Sequence, residues 1–484
     1  MTAVLDRHSD SADSSVRTRP GPLLAVLLLG QFMAILDVAI VNVAAPTLRS
    51  DLHASGAGLQ LSIAGYTISY AVLLITGARL GDRFGHGRAF RAGLVAFTAA
   101  SLLCGLAPTT GTLIAFRLAQ GVGAALMMPQ VMSLIQRNFA GPARARALSL
   151  YSAVIACGSV IGQVLGGVLV SADLFGTGWR PVFLVNVPIG IVLLVLAGRL
   201  LPADRGERAR QLDPAGVLTL SVAVLLLVVP LVLGHEENWP VWGWVSLGAS
   251  AFAFAAFVMV ERRLAARGGA PLVSGGVLRA PGLVVGAAAL FVAMINYGGY
   301  LFAMALHLQS GLGESPAHAG LVFAPVAVGF AATGLTWRLL PQRLHGPMIP
   351  FGMAVAALGY LALAPVLRGG SSGGAEFEVV LLVIGLALGL AFSPIIAVAL
   401  THVPLADAAD ASGVLVTVFQ LGQVVGVATL GTTYLTLVHA PGPRASGHAM
   451  AVTLVVLAIS AVAAAAFAVA LVRPRRAQPV PALG

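Results

Sequence analysis

The sequence predicts an all-α integral membrane protein whose chain crosses the bilayer fourteen times. Hydrophobic residues make up 58% of the chain and charged residues only 10%, whereas a soluble domain carries about a quarter charged residues because water must solvate its surface. The apolar residues also fall into repeated runs of roughly 18 to 25, each long enough to cross ~30 Å of hydrocarbon. Most of these runs lack the polar stripe of a surface helix, which argues against a soluble fold.

The apolar runs define the spans in chain order. We place them at residues 22–46, 59–80, 89–107, 112–135, 147–171, 181–201, 214–234, 240–260, 281–308, 318–340, 347–367, 378–401, 412–437 and 449–472. The first run is too long for the apolar core of a signal peptide and shows no convincing cleavage site, so we expect it to remain as the first helix.

The distribution of arginines gives the orientation. All 28 basic residues are arginines. If the N-terminus is cytoplasmic, then 23 of them fall on the cytoplasmic side, four fall in outer loops and one, Arg117, lies within a span. Cytoplasmic loops carry such an excess. We therefore expect both termini inside, in a cytoplasmic (inner) cell membrane. The net charge of +10 then belongs to the membrane surface and does not indicate a nucleic-acid partner.

The absence of lysine excludes one energy source. A P-loop needs a lysine that reaches the β- and γ-phosphates, and the chain contains none. Uphill transport would then require an ion gradient or a separate ATPase subunit. The sequence also contains no cysteine or histidine cluster of metal-site type and no nucleophile–base set. We expect no metal, no cofactor and no enzymatic activity.

Two charged connections, around 201–213 and 261–280, divide the chain. The prediction is a disordered cytoplasmic tail at 1–21, a six-helix bundle at 22–201, inserted helices seven and eight at 202–261, a cytoplasmic linker at 262–280, a second six-helix bundle at 281–472 and a cytoplasmic tail at 473–484. Gly158-x-x-x-Gly162 has a counterpart in Gly422-x-x-x-Gly426. Many secondary transporters consist of two related helical blocks around a central site.

Asp37 and Arg117 are the formal charges that lie clearly within predicted spans. Such a charge costs about 2.5–3.5 kcal/mol near the bilayer centre and therefore faces a partner or an aqueous cavity. At ~1.5 Å per residue the two lie roughly 13 Å and 9 Å below the outer surface, close enough to meet. We expect Asp37 to exchange a proton and Arg117 to adjust its protonation balance. The alternative is a purely structural ion pair with a snorkelling arginine.

Three glycine-rich strings accompany this pair. The first is Arg117–Ala125, in which Gln120 lies one turn from Arg117 and can bind substrate or hold the guanidinium. The loop after span two is interpreted as a cytoplasmic gating latch, in which Asp82 caps the next helix or pairs with an arginine. Its residues are Gly77, Gly81, Asp82, Arg83, Gly85 and Arg88. Span five presents a smooth face of Gly158, Gly162, Gly166 and Gly167, which either packs tightly or hinges and seals the two halves.

Together these strings resemble the major facilitator superfamily, specifically its fourteen-span drug:proton antiporters. The first-helix string Leu36–Pro46, the string Trp179–Gly190 and the segment Tyr300–Pro325 also fit that group. The resemblance implies the major facilitator fold, two six-helix bundles plus two central inserted helices. It departs at Ala39, where the group usually has Thr, and at Gln163, where it usually has Pro. Span ten lacks the acidic residue of dication exporters, which favours neutral or monocationic cargo.

By similarity, spans from both bundles line a substrate cavity. Its predicted residues are Gln31, Asn42, Tyr66, Tyr70, Gln120, Gln163, Asn296, Tyr297, His307, Gln420 and Gln423, although His307 equally fits a satisfied histidine at the outer end of its span. The leading hypothesis is a monomeric, proton-driven exporter of lipophilic small molecules such as drugs or antibiotics. The alternatives are export of one specific endogenous metabolite and a membrane sensor that does not transport.

Overall fold

A computed structural model describes residues 20–201, 213–234, 237, 239–269, 271–273, 275–369, 374–401, 403, 408–440 and 442–472. Within these residues the chain is helical and contains no strand. Twelve helices of the described part are long and apolar enough to cross a membrane. The third and fifth predicted spans lie on α3 and α5, defined below, which are not among these twelve. The predicted tails at 1–21 and 473–484 and the connection at 202–212 fall almost wholly outside the described residues.

The first half of the chain forms one group of helices. Its members are α1 (Pro20–Asp51), α2 (Gly56–Phe84), α3 (His86–Gly105), α4 (Thr110–Asn138), α5 (Gly141–Ala172), α6 (Pro181–Leu184) and α7 (Asn186–Leu200). Helix α4 packs against α2 and α3, α1 packs against α5, and α7 packs against α3 and α1. Phe90 and Phe97 of α3 are fully buried in its apolar core.

A helical hairpin follows, made of α8 (Pro214–Leu233) and α9 (Val241–Ala266), and then a short helix, α10 (Gly275–Arg279). The two long helices pack mainly on each other, and α8 also contacts α2. Arg79 of α2 is buried, not solvated as a loop arginine would be. Its guanidinium donates a hydrogen bond to the carbonyl oxygen of Pro271, so the end of α2 is tied to the segment after the hairpin.

The second half forms another group. Its members are α11 (Leu283–Leu306), α12 (Pro316–Val322), α13 (Ala324–Thr336), α14 (Met348–Arg368), α15 (Ala375–Ala399), α16 (Ala408–Gly426), α17 (Thr432–Leu437) and α18 (Pro443–Val472). Helix α11 packs against α16 and α18, and α15 packs against α13 and α14. Two π-helical turns, His307–Gly311 and Val427–Gly431, continue α11 and α16.

Local sequence explains where the helices begin and end. Ser55 caps α2 by accepting a hydrogen bond from the amide of Gly58. Thr109 and Thr112 form a reciprocal capping box at the start of α4, which satisfies amides that have no partner within the helix. Gly85, with φ of 98°, separates α2 from α3, a conformation that only glycine adopts readily.

The paired glycine strings occupy equivalent positions in the two groups. A Cβ at Gly158 would approach Ile35 of α1, and one at Gly162 would meet Ala39 and the carbonyl oxygen of Leu36 in the same helix. A Cβ at Gly422 or Gly426 would meet the backbone of α11. In both groups the absent side chains let the fifth long helix approach the first closely.

We call the end of the molecule where α1 ends and α2 begins the α1–α2 end, and the opposite end the α2–α3 end. Three hydrogen bonds join the two groups at the α1–α2 end. Gln309 donates to the carbonyl oxygen of Val43 at 2.7 Å. The amide of Ala317 donates to Ser171 Oγ at 2.9 Å, and Gln60 donates to Thr432 Oγ1 at 3.1 Å. These contacts close this end between the groups.

Candidate functional site

Asp37 and Arg117 form a salt bridge inside the first group of helices. Arg117 Nη1 donates to Asp37 Oδ2 at 2.5 Å. The two side chains are 0% and 1% exposed, so solvent does not screen the pair. Arg117 Nε also donates to the carbonyl oxygen of Ser62 at 3.1 Å. The two charges that the sequence placed at similar depths therefore meet directly.

Two amide side chains complete the coordination of the carboxylate. Gln120 donates from Nε2 to Asp37 Oδ1 at 2.8 Å and accepts from Arg117 Nη1 at 2.6 Å. Asn186, at the start of α7, donates to the same Oδ1 at 2.9 Å. Gln120 Nε2 also lies 2.7 Å from Ser101 Oγ. Three donors from two helices, Arg117 and Gln120 of α4 and Asn186 of α7, therefore contact the carboxylate.

Asn186 and Ser101 were not among the predicted site residues. The available signal for Asn186 was a strongly polar amide in an otherwise apolar sixth span, the criterion that singled out Asp37. Ser101 carried no comparable signal, because a serine in a membrane helix can satisfy its hydroxyl on its own backbone.

Aromatic faces surround the guanidinium. The Arg117 guanidinium carbon lies 4.8 Å from the ring centroid of Tyr66 and 5.5 Å from that of Phe183. A cation within about 6 Å of an aromatic face is attracted to the π electrons. Arg117 therefore keeps favourable partners even when its carboxylate partner is neutral.

A cavity of about 300 Å³ lies between the two groups of helices. Its lining is mainly apolar and aromatic, and within the described residues it contains no charged side chain. Its lining includes Gln31, Ala34, Val38, Asn42, Tyr66, Tyr70, Tyr297, Phe330, Phe392, Gln420 and Gln423. Such a cavity, with a few polar groups that orient a ligand, suits a lipophilic small molecule.

Seven of the eleven predicted cavity residues line this cavity. They are Gln31, Asn42, Tyr66, Tyr70, Tyr297, Gln420 and Gln423. Gln120 instead belongs to the Asp37 network. Gln163 is buried and is not among the residues that line this cavity. Both polar atoms of its amide have no hydrogen-bond partner within the described part of the chain.

The other two predicted cavity residues face the interior of the second group. Asn296 donates to the carbonyl oxygen of Leu457 at 2.8 Å and accepts from the Tyr360 hydroxyl at 2.7 Å. His307 Nδ1 shares a hydrogen bond of 2.7 Å with Ser446 Oγ. Both side chains thus bind their own bundle. Helical position alone did not reveal this, because one helix presents polar residues to both the cavity and the bundle core.

Asp37 is adjacent to the cavity but does not line it. Ala34, Val38 and Tyr66 line the cavity, whereas Asp37 and Arg117 lie behind them. A proton on Asp37 and a ligand in the cavity would therefore occupy separate but neighbouring places.

The glycines of the predicted gating loop lie at the end of α2, where this helix packs closely against α4. A Cβ at Gly77 would collide with the carbonyl oxygen of Ala125, and one at Gly81 with the side chain of Gln130. Gln130 Nε2 donates to the carbonyl oxygen of Gly77 at 2.8 Å, and Gln130 Oε1 lies 2.7 Å from His86 Nδ1. The glycines therefore admit a buried glutamine that fastens the two helices.

The expected role of Asp82 is wrong in both versions. Asp82 lies within α2 and does not cap α3, whose N-cap is Gly85 without a side-chain bond. Within the described residues its ionic partner is His86 Nε2 at 3.5 Å, one turn further along the chain, and not an arginine. The remaining loop residues, Arg83 and Arg88, are exposed.

The glycine face of α5 contacts both halves of the molecule. A Cβ at Gly158 would approach Ile35 of α1, whereas one at Gly167 would collide with the backbone of Pro316 and Ala317 in α12. The same face therefore packs within its own bundle and meets the other bundle near the α1–α2 end. Among the described residues, no group of three or more metal-ligating side chains occurs.

A family model described as Major Facilitator Superfamily matches residues 27–427. The probable actinorhodin transporter of Streptomyces coelicolor is 40% identical over 418 residues, which cover 86% of this chain and 72% of the relative. The cephamycin export protein of Amycolatopsis lactamdurans is 35% identical over 445 residues, covering 89% and 88%. A solved bacterial homologue of the human lysosomal transporter Spinster, in an inward-facing conformation, has a TM-score of 0.66 at 17% identity, covering 93% of this chain and 96% of that one.

Proposed function

The chain belongs to the major facilitator superfamily, and we propose that it is a proton-coupled antiporter that exports lipophilic small molecules by alternating access. Its family and helices make it a multi-pass transporter of the cell membrane and not an enzyme. The observation that carries the proposal is a fully buried carboxylate, Asp37, held by Arg117 directly behind the wall of the central cavity.

The proton carrier in this proposal is Asp37. An arginine and two amides favour the carboxylate, whereas removal from water favours the neutral acid, and these opposing effects are large in a buried site. A change in hydration as the bundles rock would shift the balance. A proton that crosses the membrane supplies about 2.3 kcal/mol per 100 mV, and a further ~1.4 kcal/mol for each unit of pH difference.

The two bundles in this proposal rock about the cavity. The hydrogen bonds Gln309–Val43, Ser171–Ala317 and Gln60–Thr432 would open when the α1–α2 end opens. We assign this end to the outer face, since the arginine distribution places both termini in the cytoplasm. In this assignment α3 and α5 join the twelve apolar helices to give fourteen spans, divided into six, two and six.

The proposed cargo is a neutral or monocationic apolar molecule. The described lining of the cavity offers amide and phenol groups but no charge, so a dication would find no carboxylate there. Both bundles of one chain complete the cavity, and we therefore propose that a monomer is the working unit and needs no cofactor other than the proton gradient.

Proton-driven uptake into everted membrane vesicles tests this function. Vesicles from an exporter-deficient host that produces the protein should accumulate one or more members of a panel of lipophilic neutral and monocationic dyes, and Asp37→Asn should abolish this accumulation. Glu376→Gln is the matched control, because Glu376 is an exposed acid at the start of α15. Full accumulation with Asp37→Asn would refute the role of Asp37.

A narrower function is the second candidate, namely export of one endogenous metabolite. The names of the two relatives each refer to a single antibiotic, actinorhodin or cephamycin. Toxicity profiles separate the candidates, since a multidrug exporter protects the host against several unrelated compounds and a dedicated exporter against one chemical type.

A further inference from the structure

Tyr66 separates the central cavity from the buried ion pair. It lines the cavity, and its ring centroid lies 4.8 Å from the guanidinium carbon of Arg117. The side chain is only 1% exposed. Its hydroxyl lies 3.5 Å from the carbonyl oxygen of Ala34, a distance at which a hydrogen bond is weak. The ring is therefore held mainly by packing and by its contact with the cation.

The support that Tyr66 gives to Arg117 depends on the state of Asp37. While Asp37 is ionised, the guanidinium has a carboxylate partner at 2.5 Å. Once Asp37 is protonated, the cation depends on Gln120 Oε1, the carbonyl oxygen of Ser62 and the faces of Tyr66 and Phe183. The Tyr66 ring thus stabilises the protonated state more than the ionised one.

Other aromatic rings line the cavity. Tyr70 packs against Tyr66 with centroids 6.0 Å apart and planes inclined by 35°. The second bundle contributes a cluster of Tyr297, Phe330 and Phe392, whose centroids lie 5.8 to 6.1 Å apart. A planar aromatic molecule in the cavity would find ring faces on both bundles and gain from stacking with them.

From this geometry we infer that Tyr66 is a positioning residue through which a planar aromatic cargo and a proton on Asp37 weaken each other's binding. This inference rests on the proposed antiport. A cargo that stacks on the cavity side of Tyr66 competes with Arg117 for the π electrons of the ring, and the guanidinium then depends more on an ionised Asp37. Cargo binding releases the proton and proton binding weakens cargo affinity, because such a coupling free energy acts equally in both directions.

The groups that surround Asp37 allow this coupling to be measured. Among the described residues, the charged or titratable side chains near it are Arg117 from α4, Tyr66 from α2 and Cys104 from α3. The α7 neighbour, Asn186, does not titrate. A pH-dependent carboxyl signal that disappears in Asp37→Asn therefore reports on Asp37 itself.

Infrared difference spectroscopy of the full-length protein in lipid tests the inference without any cargo. The carbonyl stretch of protonated Asp37, identified by its loss in Asp37→Asn, is followed against pH in the wild type and three variants. Tyr66→Leu should lower the proton affinity of Asp37 by about 2- to 30-fold, the range of a cation–π contact. Tyr66→Phe keeps the ring and should match the wild type. Phe351→Leu removes an exposed aromatic ring of α14 that does not line the cavity, and should also match it.

A second measurement uses a planar aromatic monocation, ethidium, as the probe. Added to weakly buffered wild-type protein or Tyr66→Phe, it should release protons, whereas Tyr66→Leu should release several-fold fewer per bound ethidium. An unchanged proton affinity in Tyr66→Leu, no titration of Asp37 between about pH 4 and 10, or no proton release from the wild type would each overturn the inference. If Tyr66→Leu does not fold, Tyr66→Met replaces it. Transport that survives Asp37→Asn would instead refute the antiport itself.

Discussion

Asn186 donates a hydrogen bond of 2.9 Å to Asp37 Oδ1, although 149 positions separate the two residues. The bond connects the first helix of the bundle to the start of α7, and it reaches the carboxylate oxygen that also accepts from Gln120. The other amide atom, Asn186 Oδ1, is buried and has no hydrogen-bond partner within the described residues. Within the described residues, the amide of Asn186 therefore makes its hydrogen bond through the donor nitrogen and not through the oxygen.

Replacing Asn186 with leucine should move the pH profile of transport. Leucine has nearly the shape of asparagine and removes both the donor and the unpartnered oxygen, so the fold should persist. A hydrogen bond to a charged group is worth about 1.5–3 kcal/mol, so losing it should shift the profile upward by roughly 1 to 2 pH units. Initial rates of dye uptake across a pH series measure this shift.

Asn42→Leu is the control for that experiment. Asn42 lines the cavity but donates to the carbonyl oxygen of Val38 within its own helix. It should change dye affinity and leave the pH profile in place. Equal profile shifts in both variants would show that any polar loss near the cavity produces the effect.

Removing Arg117 alone should cost more stability than removing both charges. Arg117→Gln leaves Asp37 buried without its cation, and breaking a buried pair typically costs about 3–5 kcal/mol. The double variant Asp37→Asn/Arg117→Gln removes the uncompensated carboxylate and should recover most of the unfolding temperature while still failing to transport. Thermal unfolding in detergent at neutral pH measures this. A double variant no more stable than Arg117→Gln would contradict the expectation.

Because α2 approaches α4 closely, alanine substitutions at two glycines of α4 should differ greatly in their effect on stability. A Cβ at Gly121 would collide with Ser69 Oγ and the carbonyl oxygen of Tyr66, whereas Gly111 has no atom within 4 Å of that position. Gly121→Ala should therefore lower the free energy of unfolding by about 1–3 kcal/mol, as overpacked cores do. It should also displace Tyr66 and weaken transport.

Gly111→Ala should be neutral or slightly stabilising, because alanine favours the helix by up to about 1 kcal/mol. Unfolding midpoints of the two variants in the same detergent provide the comparison. A stable, fully active Gly121→Ala protein would mean that the helices separate at no cost.

A disulfide across the α1–α2 end should arrest the transport cycle. The amide of Ala317 lies 2.9 Å from Ser171 Oγ, so cysteines at both positions are close enough to approach bonding geometry. In a background with Cys104 and Cys157 replaced by alanine, Ser171→Cys/Ala317→Cys should lose transport on oxidation and regain it on reduction. Each single cysteine variant should respond to neither reagent. Normal transport by the fully cross-linked protein would show that this contact does not open.

The sequence predicted an all-helical chain with many membrane spans because each membrane helix carries its own signal in length and polarity, and twelve helices of the described residues show that signal. It also predicted the Asp37–Arg117 pair, since intramembrane charges at matched depth must find each other. Gln163 and Asn296 were harder, because their position along a helix does not state which way the side chain points. The rotation of α11 that turns Asn296 toward Leu457 and Tyr297 toward the cavity arises from packing against α18 and α16.

Asp82 shows a second reason why the sequence did not predict a residue's partner. Its glycine-rich setting indicated a turn, but α2 continues through it as far as Phe84, so its partner is one helical turn away. Gln130, which fastens α2 to α4, lies far from the loop in sequence and became visible only when the two helices were brought together.

In the proposed transport cycle, the wall of Ala34, Val38 and Tyr66 separates the proton-carrying Asp37 and its partner Arg117 from the cavity that would hold the cargo. Mutations that reshape the aromatic compartment can therefore accumulate while the carboxylate and its donors stay intact. If the proposed function holds, the cargo preference could then change one side chain at a time without loss of the proton site. Efforts to redirect its specificity should begin at Tyr297, Phe330 and Phe392, on the bundle opposite the carboxylate.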